Sequence, residues 1–284
     1  MSGRKPVLSG HMKKAIERLE TLSGVVNLAI EVVDARAPAA TKCELMTKVL
    51  RGCTIVTVFS KADLADPAAT NSWIEWYRAR GTKAVVFPFG KHKDRNRFLK
   101  SVTAGFREAM GPGEQVKAVV VGLPNVGKST VMNMMTGGKR VRTGAMPGVT
   151  RGIQLINVDN DFLVLDTPGV VSSAVGDDER AGTLALVGCL QDKFYDASEA
   201  VERLLELCLP DYAGLFREFY DLPENPADGE SFLLSLARRR GLLKKGGEYD
   251  LDRVPPIVLK DFSTGRLSGV TLERPHRLKR SSEG

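Results

Sequence analysis

The stretch Gly122-Leu123-Pro124-Asn125-Val126-Gly127-Lys128-Ser129 constrains the fold of this chain more than any other. It fits G-x-x-x-x-G-K-[ST]. That spacing works in one setting, a tight loop between a strand and a helix, whose backbone N–H groups wrap phosphate. Both flanks are present: Ala118–Val121 is a short apolar run, and an apolar helical stretch follows Ser129. The loop residues Asn125, Val126, Gly127, Lys128, Ser129 and Thr130 are therefore expected around the phosphates. Lys128 would neutralise the β- and γ-phosphates and so act in catalysis, and the Ser129 hydroxyl would ligate Mg²⁺.

Apolar and β-branched runs at Leu28–Val33, Thr54–Phe59, Ala84–Phe87, Ala118–Val121, Gly152–Val158 and Phe162–Leu165 read as strands separated by helical stretches. Asp159-Asn160 makes the last two an antiparallel hairpin. The pattern predicts an α/β doubly wound sheet with one antiparallel edge over residues 1–171, with Asn96–Met110 as a connecting helix. Beyond Val170 the strand signal stops, and residues 172–275 read as a small all-helical domain. Its helices are expected at Ser198–Leu209, closed by Pro210, at Asp228–Arg240 before Gly241, and between Asp252 and Phe262. Residues 276–284 read as a basic disordered tail.

Asp166-Thr167-Pro168-Gly169 closes a strand and fits D-x-x-G, which places Asp166 near Mg²⁺ and the Gly169 N–H near the γ-phosphate. Thr150, in Pro147-Gly148-Val149-Thr150, is the candidate switch threonine for the same metal; Thr143 is its rival by position, and a plain turn is the alternative. Ser60-Lys61-Ala62-Asp63 ends another strand and approximates N-K-x-D, the guanine reader. There Asp63 would accept from two base donors that adenine does not present in that pattern, and the Lys61 stem would lie over the base. This reader comes before the phosphate loop, whereas in ordinary GTPases it comes last. Such a circular permutation leaves the site intact if the old termini are joined.

At this point the chain resembles the circularly permuted bacterial GTPases of ribosome assembly, the ribosome biogenesis GTPase A family. The resemblance covers nearly the whole chain. Asp34-Ala35-Arg36-Ala37-Pro38 is similar to its D-A-R-x-P segment, Gly10-His11-Met12 to its G-H-M segment, and Leu236–Gly241 and Asp261-Phe262 with Gly265 to its helical domain. The resemblance implies a GTP-binding and hydrolysing switch, acting late in assembly of the large ribosomal subunit, with rRNA as partner. It also implies a role for His11 in positioning water, and for Asn125 in holding K⁺. Ser60 stands where the family has Asn; its shorter side chain leads us to expect weaker nucleotide binding. Val170 occupies the place after D-x-x-G where many GTPases have a water-orienting Gln, so slow unassisted hydrolysis is expected. Negligible hydrolysis would make the protein a nucleotide-dependent RNA- or protein-binding module instead.

Charge is uneven along the chain: 25 Lys/Arg against 14 Asp/Glu over residues 1–171, 4 against 14 over 172–230, and 12 against 6 over 231–284. The two basic regions suit RNA, and so does the helix end Arg238-Arg239-Arg240; a solvated charged face or a helix-dipole partner gives the same pattern. Cys43, Cys53, Cys189 and Cys208 form no C-x-x-C pair, as expected of free thiols in a reducing, cytoplasmic setting. No apolar run reaches bilayer length, the first residues lack the apolar core of a secretory signal, and no lipidation motif is present, so no membrane partner is expected. The chain is expected to be a monomer.

Overall fold

The computed structural model of the chain describes residues 17, 20–43, 49–50, 52–88, 94–111, 113–138, 142–143, 154–166, 178–190 and 195–277. His11, Thr150 and Gly169 lie outside them, as do residues 278–284.

Seven strands form one sheet: β1 (Leu28–Asp34), β2 (Thr54–Ser60), β3 (Lys83–Val86), β4 (Val116–Val121), β5 (Arg142–Thr143), β6 (Gln154–Asp159) and β7 (Phe162–Asp166). Their order is β3-β2-β1-β4-β7-β6-β5. The first five in that order are parallel, and β6 runs antiparallel to both β7 and β5. Each strand expected from the sequence is found within two residues of its expected ends. The expected antiparallel edge is corrected in one respect: β6 is the antiparallel strand, but β5 covers it and forms the edge. Two residues are too few for alternation to register.

All seven residues of β1 are buried. Leu28, Ile30 and Val32 point into one apolar cluster, while Ala29 and Val33 belong to clusters on the other face. A strand covered on both sides needs such a continuous apolar run. Asp34 pairs with Ser60, Glu31 with Val121 and Val119 with Leu165. The carboxyl ends of β1, β2, β4 and β7 therefore open on one rim, where open α/β sheets place ligands.

The helices are α1 (Pro67–Arg78), α2 (Arg95–Met110), α3 (Lys128–Thr136), α4 (Asp178–Leu186), α5 (Ala197–Tyr220), α6 (Gly229–Arg240) and α7 (Val254–Ser263). Asp66 caps α1 by accepting from the Ala68 and Ala69 N–H groups, Pro67 opens it, and Ala69, Trp73 and Tyr77 bury one stripe. Asp228 and Ser231 form a capping box at the start of α6, and Gly241 ends it at φ 63°.

The expectation that Pro210 closes its helix is corrected: α5 runs through it to Tyr220. Pro210 deprives the Glu206 carbonyl of its N–H partner, but both residues lie on the exposed face, where water can take that carbonyl. The buried face continues past the proline with Phe216 and Tyr220, and their burial holds the second half of the helix in place.

One buried apolar cluster runs from the sheet through α2 and α3 into α4–α7. The residues after α7 return to the sheet. The Leu272 N–H donates to the Arg36 carbonyl at 2.8 Å, and the Trp73 indole to the Glu273 carbonyl at 3.0 Å. The Glu273 carboxylate accepts from the Ala39 and Ala40 N–H groups at 2.6 and 2.9 Å. Arg274 and the Tyr212 hydroxyl both donate to Asp66, at 2.8 and 2.9 Å. Pro275–Arg277 forms a short 3-10 turn at the start of the expected tail.

Candidate functional site

The phosphate loop leaves β4 at Gly122, whose φ is 150°; a Cβ there would sit 2.5 Å from the Val32 carbonyl oxygen. No L side chain fits, so the first glycine of the motif is fixed by the neighbouring strand. Asn125 is left-handed at φ 61°, and Gly127 caps α3 at φ 99°. A Cβ on Gly127 would lie 3.4 Å from Ser60 Cβ. The loop is thus folded as a cradle against the β2 end, at the N-terminus of a helix. Among the described residues, no protein acceptor takes the N–H groups of Gly127, Lys128 or Ser129. Unpaired N–H groups at a helix start suit an anion.

Lys128 is half-buried, and burial pushes its ammonium below the ordinary lysine value, partly offset by Cys189 and Cys43 nearby. Its amino group donates to the Leu123 carbonyl across the loop. Ser129 and Thr130 are exposed, and the Ser129 hydroxyl has no hydrogen-bond partner among the described residues. Val126 is fully buried under the loop. The Asn125 side-chain amide donates to the Gly188 carbonyl at 2.8 Å, linking the phosphate loop to the turn after α4. Asp166 is the last residue of β7, one strand over from the loop.

The base-reading segment sits beside this cradle. The Ser60 hydroxyl lies within hydrogen-bond reach of two carbonyls, Val33 at 2.9 Å and Val126 of the phosphate loop at a shorter distance. With one proton it donates to one at a time. Serine therefore does reach the phosphate loop, and the bracing between the two loops survives the shorter side chain. Lys61 is left-handed at φ 52°, and its ammonium lies 2.8 Å from the Asp34 carboxylate. Asp63 is exposed. Partial desolvation at the rim raises its carboxyl above the ordinary value; its own N–H, Arg36 and the Leu64 N–H pull it back, and Asp34 adds to the rise.

The structure thus brings together Ser60, Lys61, Asp63, Asn125, Val126, Gly127, Lys128, Ser129 and Thr130 on one rim, with the backbone of Asp166 beside them. Sequence reasoning did not anticipate the Asp34–Arg36 pair beneath them. Its signal is the Asp34-Ala35-Arg36 segment, a charged pair that ends an apolar strand.

Comparison with known proteins bears on the fold and the family. The family model described as 50S ribosome-binding GTPase matches residues 117–208, from β4 into α5. Ribosome biogenesis GTPase A of Thermotoga maritima is 31% identical over 94% of this chain and 93% of its own length. This chain belongs to the ribosome biogenesis GTPase A family. The namesake from Priestia megaterium is 28% identical over 94% of this chain and 95% of its own. A GDP-bound structure of YlqF superposes with a TM-score of 0.66 at 27% identity, covering 91% of this chain and 99% of that one. The GNP-bound YlqF from T. maritima gives 0.64 at 28% identity, covering 92% and 98%. The ribosome biogenesis GTPase A fold is therefore that of the present chain, which is a GTP-binding protein of a GTPase family. Among the described residues no helix is long and apolar enough to cross a membrane.

Proposed function

We propose that the chain is a GTP-hydrolysing switch that acts in late assembly of the large ribosomal subunit, with the subunit and its rRNA as partners. The observation that carries this reading is the meeting of base-reading and phosphate loops on one rim, tied by Ser60 to the Val126 carbonyl. The base-reading strands come before the phosphate loop in the chain, as in a circular permutation.

In this reading Asp63 accepts from the guanine edge, Lys61 covers the base, and residues Asn125 to Thr130 hold the phosphates with Lys128 as their cation. Mg²⁺, when bound, would neutralise negative charge that develops on the phosphates during transfer. The exposed Ser129 hydroxyl and the Asp166 carboxylate are hard oxygen donors of the kind it takes, and Thr150 would join them. Asn125 spends its amide N–H on Gly188 and keeps its oxygen for a monovalent cation, K⁺. Gly169 would meet the γ-phosphate, and the chain then leads through residues 170–177 into α4, whose end Asn125 already grips. The helical part would follow the nucleotide state by that route.

Arg238 and Arg240 are exposed at the end of α6 and would face rRNA. Arg239 would share that role; its exposed guanidinium also pairs with Asp221, just past the end of α5. Val170 offers water no side-chain hydrogen bond, so another group must act: His11, a K⁺ at Asn125 or the ribosomal partner would supply it. Single-turnover hydrolysis should be slow for the chain alone in Na⁺. It should rise about tenfold or more with purified large ribosomal subunits and K⁺, since one oriented group or cation is worth that much. Val170 also favours a second reading, a nucleotide-dependent binding module. Hydrolysis that stays negligible under every condition would select it. Fast hydrolysis in buffer, indifferent to both additions, would contradict both.

A further inference from the structure

Asp34 closes β1 opposite Ser60, and its side chain is 0% exposed. Its carboxylate accepts four hydrogen bonds. Oδ1 takes the Arg36 N–H and Nε–H, both at 3.0 Å; Oδ2 takes Arg36 Nη2 and Lys61 Nζ, both at 2.8 Å. Burial would raise this carboxyl, but the Arg36 guanidinium and then Lys61 outweigh it and hold it below the usual carboxylate range. Arg36 is equally buried and is itself fixed from the far side, by Nη1 on the Phe262 carbonyl at 2.6 Å and Nη2 on the Val187 carbonyl at 3.3 Å.

One carboxylate thus faces two cations. Arg36 alone balances its charge and fills three of its four bonds. The fourth goes to a lysine on the rim, in the loop that also carries Asp63. A free lysine sweeps many rotamers, and a stem that must lie along a base gains from being held beforehand. We propose that Asp34 is a positioning residue for guanine recognition: it holds Lys61 where the stem covers the base, with Arg36 as the fixed strut behind it. This rests on the reading of Ser60–Asp63 as the base site.

A merely structural Asp34 would affect every ligand of the rim alike. A positioning Asp34 affects the base and not the phosphates. The test is calorimetric affinity of the full chain for GDP and for inorganic pyrophosphate. In Asp34→Asn, the amide would turn its NH₂ toward Arg36 Nη2 and Lys61, two donors it cannot satisfy. GDP should bind about tenfold more weakly, the scale of one lost charge-assisted contact, while pyrophosphate affinity changes less than about twofold. Lys61→Met should weaken GDP similarly, and the double variant should lose little beyond either single one, because the two act as a unit. Equal losses for GDP and pyrophosphate, losses that multiply in the double variant, or native GDP affinity would overturn the proposal. If Asp34→Asn does not fold, Asp34→Asn/Arg36→Met removes the stranded guanidinium and is judged by the same two affinities. Asp63→Asn separates the two claims. If it loses GDP while the Asp34 variant keeps it, only the present proposal fails. If it keeps GDP at native affinity, the base site itself is misassigned.

Discussion

Lys128→Ala should weaken Mg·GTP binding by at least about a hundredfold and leave the fold intact. The lysine would make charge-assisted hydrogen bonds to the β- and γ-phosphates, each worth about 1.5–3 kcal/mol, so two of them correspond to roughly two to four decades of affinity. The protein itself has little to lose. Lys128 opens α3, and among the described residues its ammonium donates to the Leu123 carbonyl of its own loop. Among the described residues no carboxylate pairs with this desolvated ammonium. The check is GTP affinity by fluorescence titration beside a thermal melt. A melt within a few degrees of wild type with nucleotide binding gone is the expected pair of results. Native affinity in the folded variant would remove the phosphate loop from the account.

The second large effect is a change of base preference in Asp63→Asn. A carboxylate accepts from both the ring N–H and the exocyclic amine of guanine; an amide presents one acceptor and one donor, which matches xanthine. GTP should weaken by about a hundredfold or more, because a donor then meets a donor and neither is satisfied, while xanthosine triphosphate should bind better than to wild type. Among the described residues the exposed side chain makes no ion pair, so stability should barely change. Wild type should also lose guanine preference as pH falls through the raised Asp63 carboxyl, since only the ionised form accepts both bonds. The variant has no such proton to gain and should show no such slope. Unaltered GTP and xanthosine triphosphate affinities would mean that another residue reads the base.

Much of the fold was legible because it rests on short-range patterns. The strand before the phosphate loop ends in the apolar run Ala118–Val121, and the loop's spacing declares the helix after it. Asp228 and Gly241 mark the two ends of α6 by capping chemistry alone. Helix α4 was missed because its first turn, Asp178-Glu179-Arg180, is charged and its apolar part is short. Pro210 misled because a proline's cost depends on which face it occupies, and the far half of α5 is held by packing.

The candidate site divides in the same way. The phosphate and base loops announce themselves in eight and four residues. The contacts that fix them do not: Arg36 meets Phe262 and Val187, and Asn125 meets Gly188, across long stretches of chain. A backbone carbonyl as acceptor leaves no mark in a sequence. Asp34 and Arg36 could be singled out only as a charged pair ending an apolar strand, and the lysine that joins them lies 27 residues beyond Asp34.

The central claim, that GTP commands association with the large ribosomal subunit, is tested most directly by co-sedimentation. The full chain is spun with purified large subunits through a sucrose cushion at fixed salt, with a non-hydrolysable GTP analogue or with GDP. The account predicts that the chain pellets with subunits in the analogue and stays in the supernatant in GDP. Equal pelleting in both, or none in either, would contradict it.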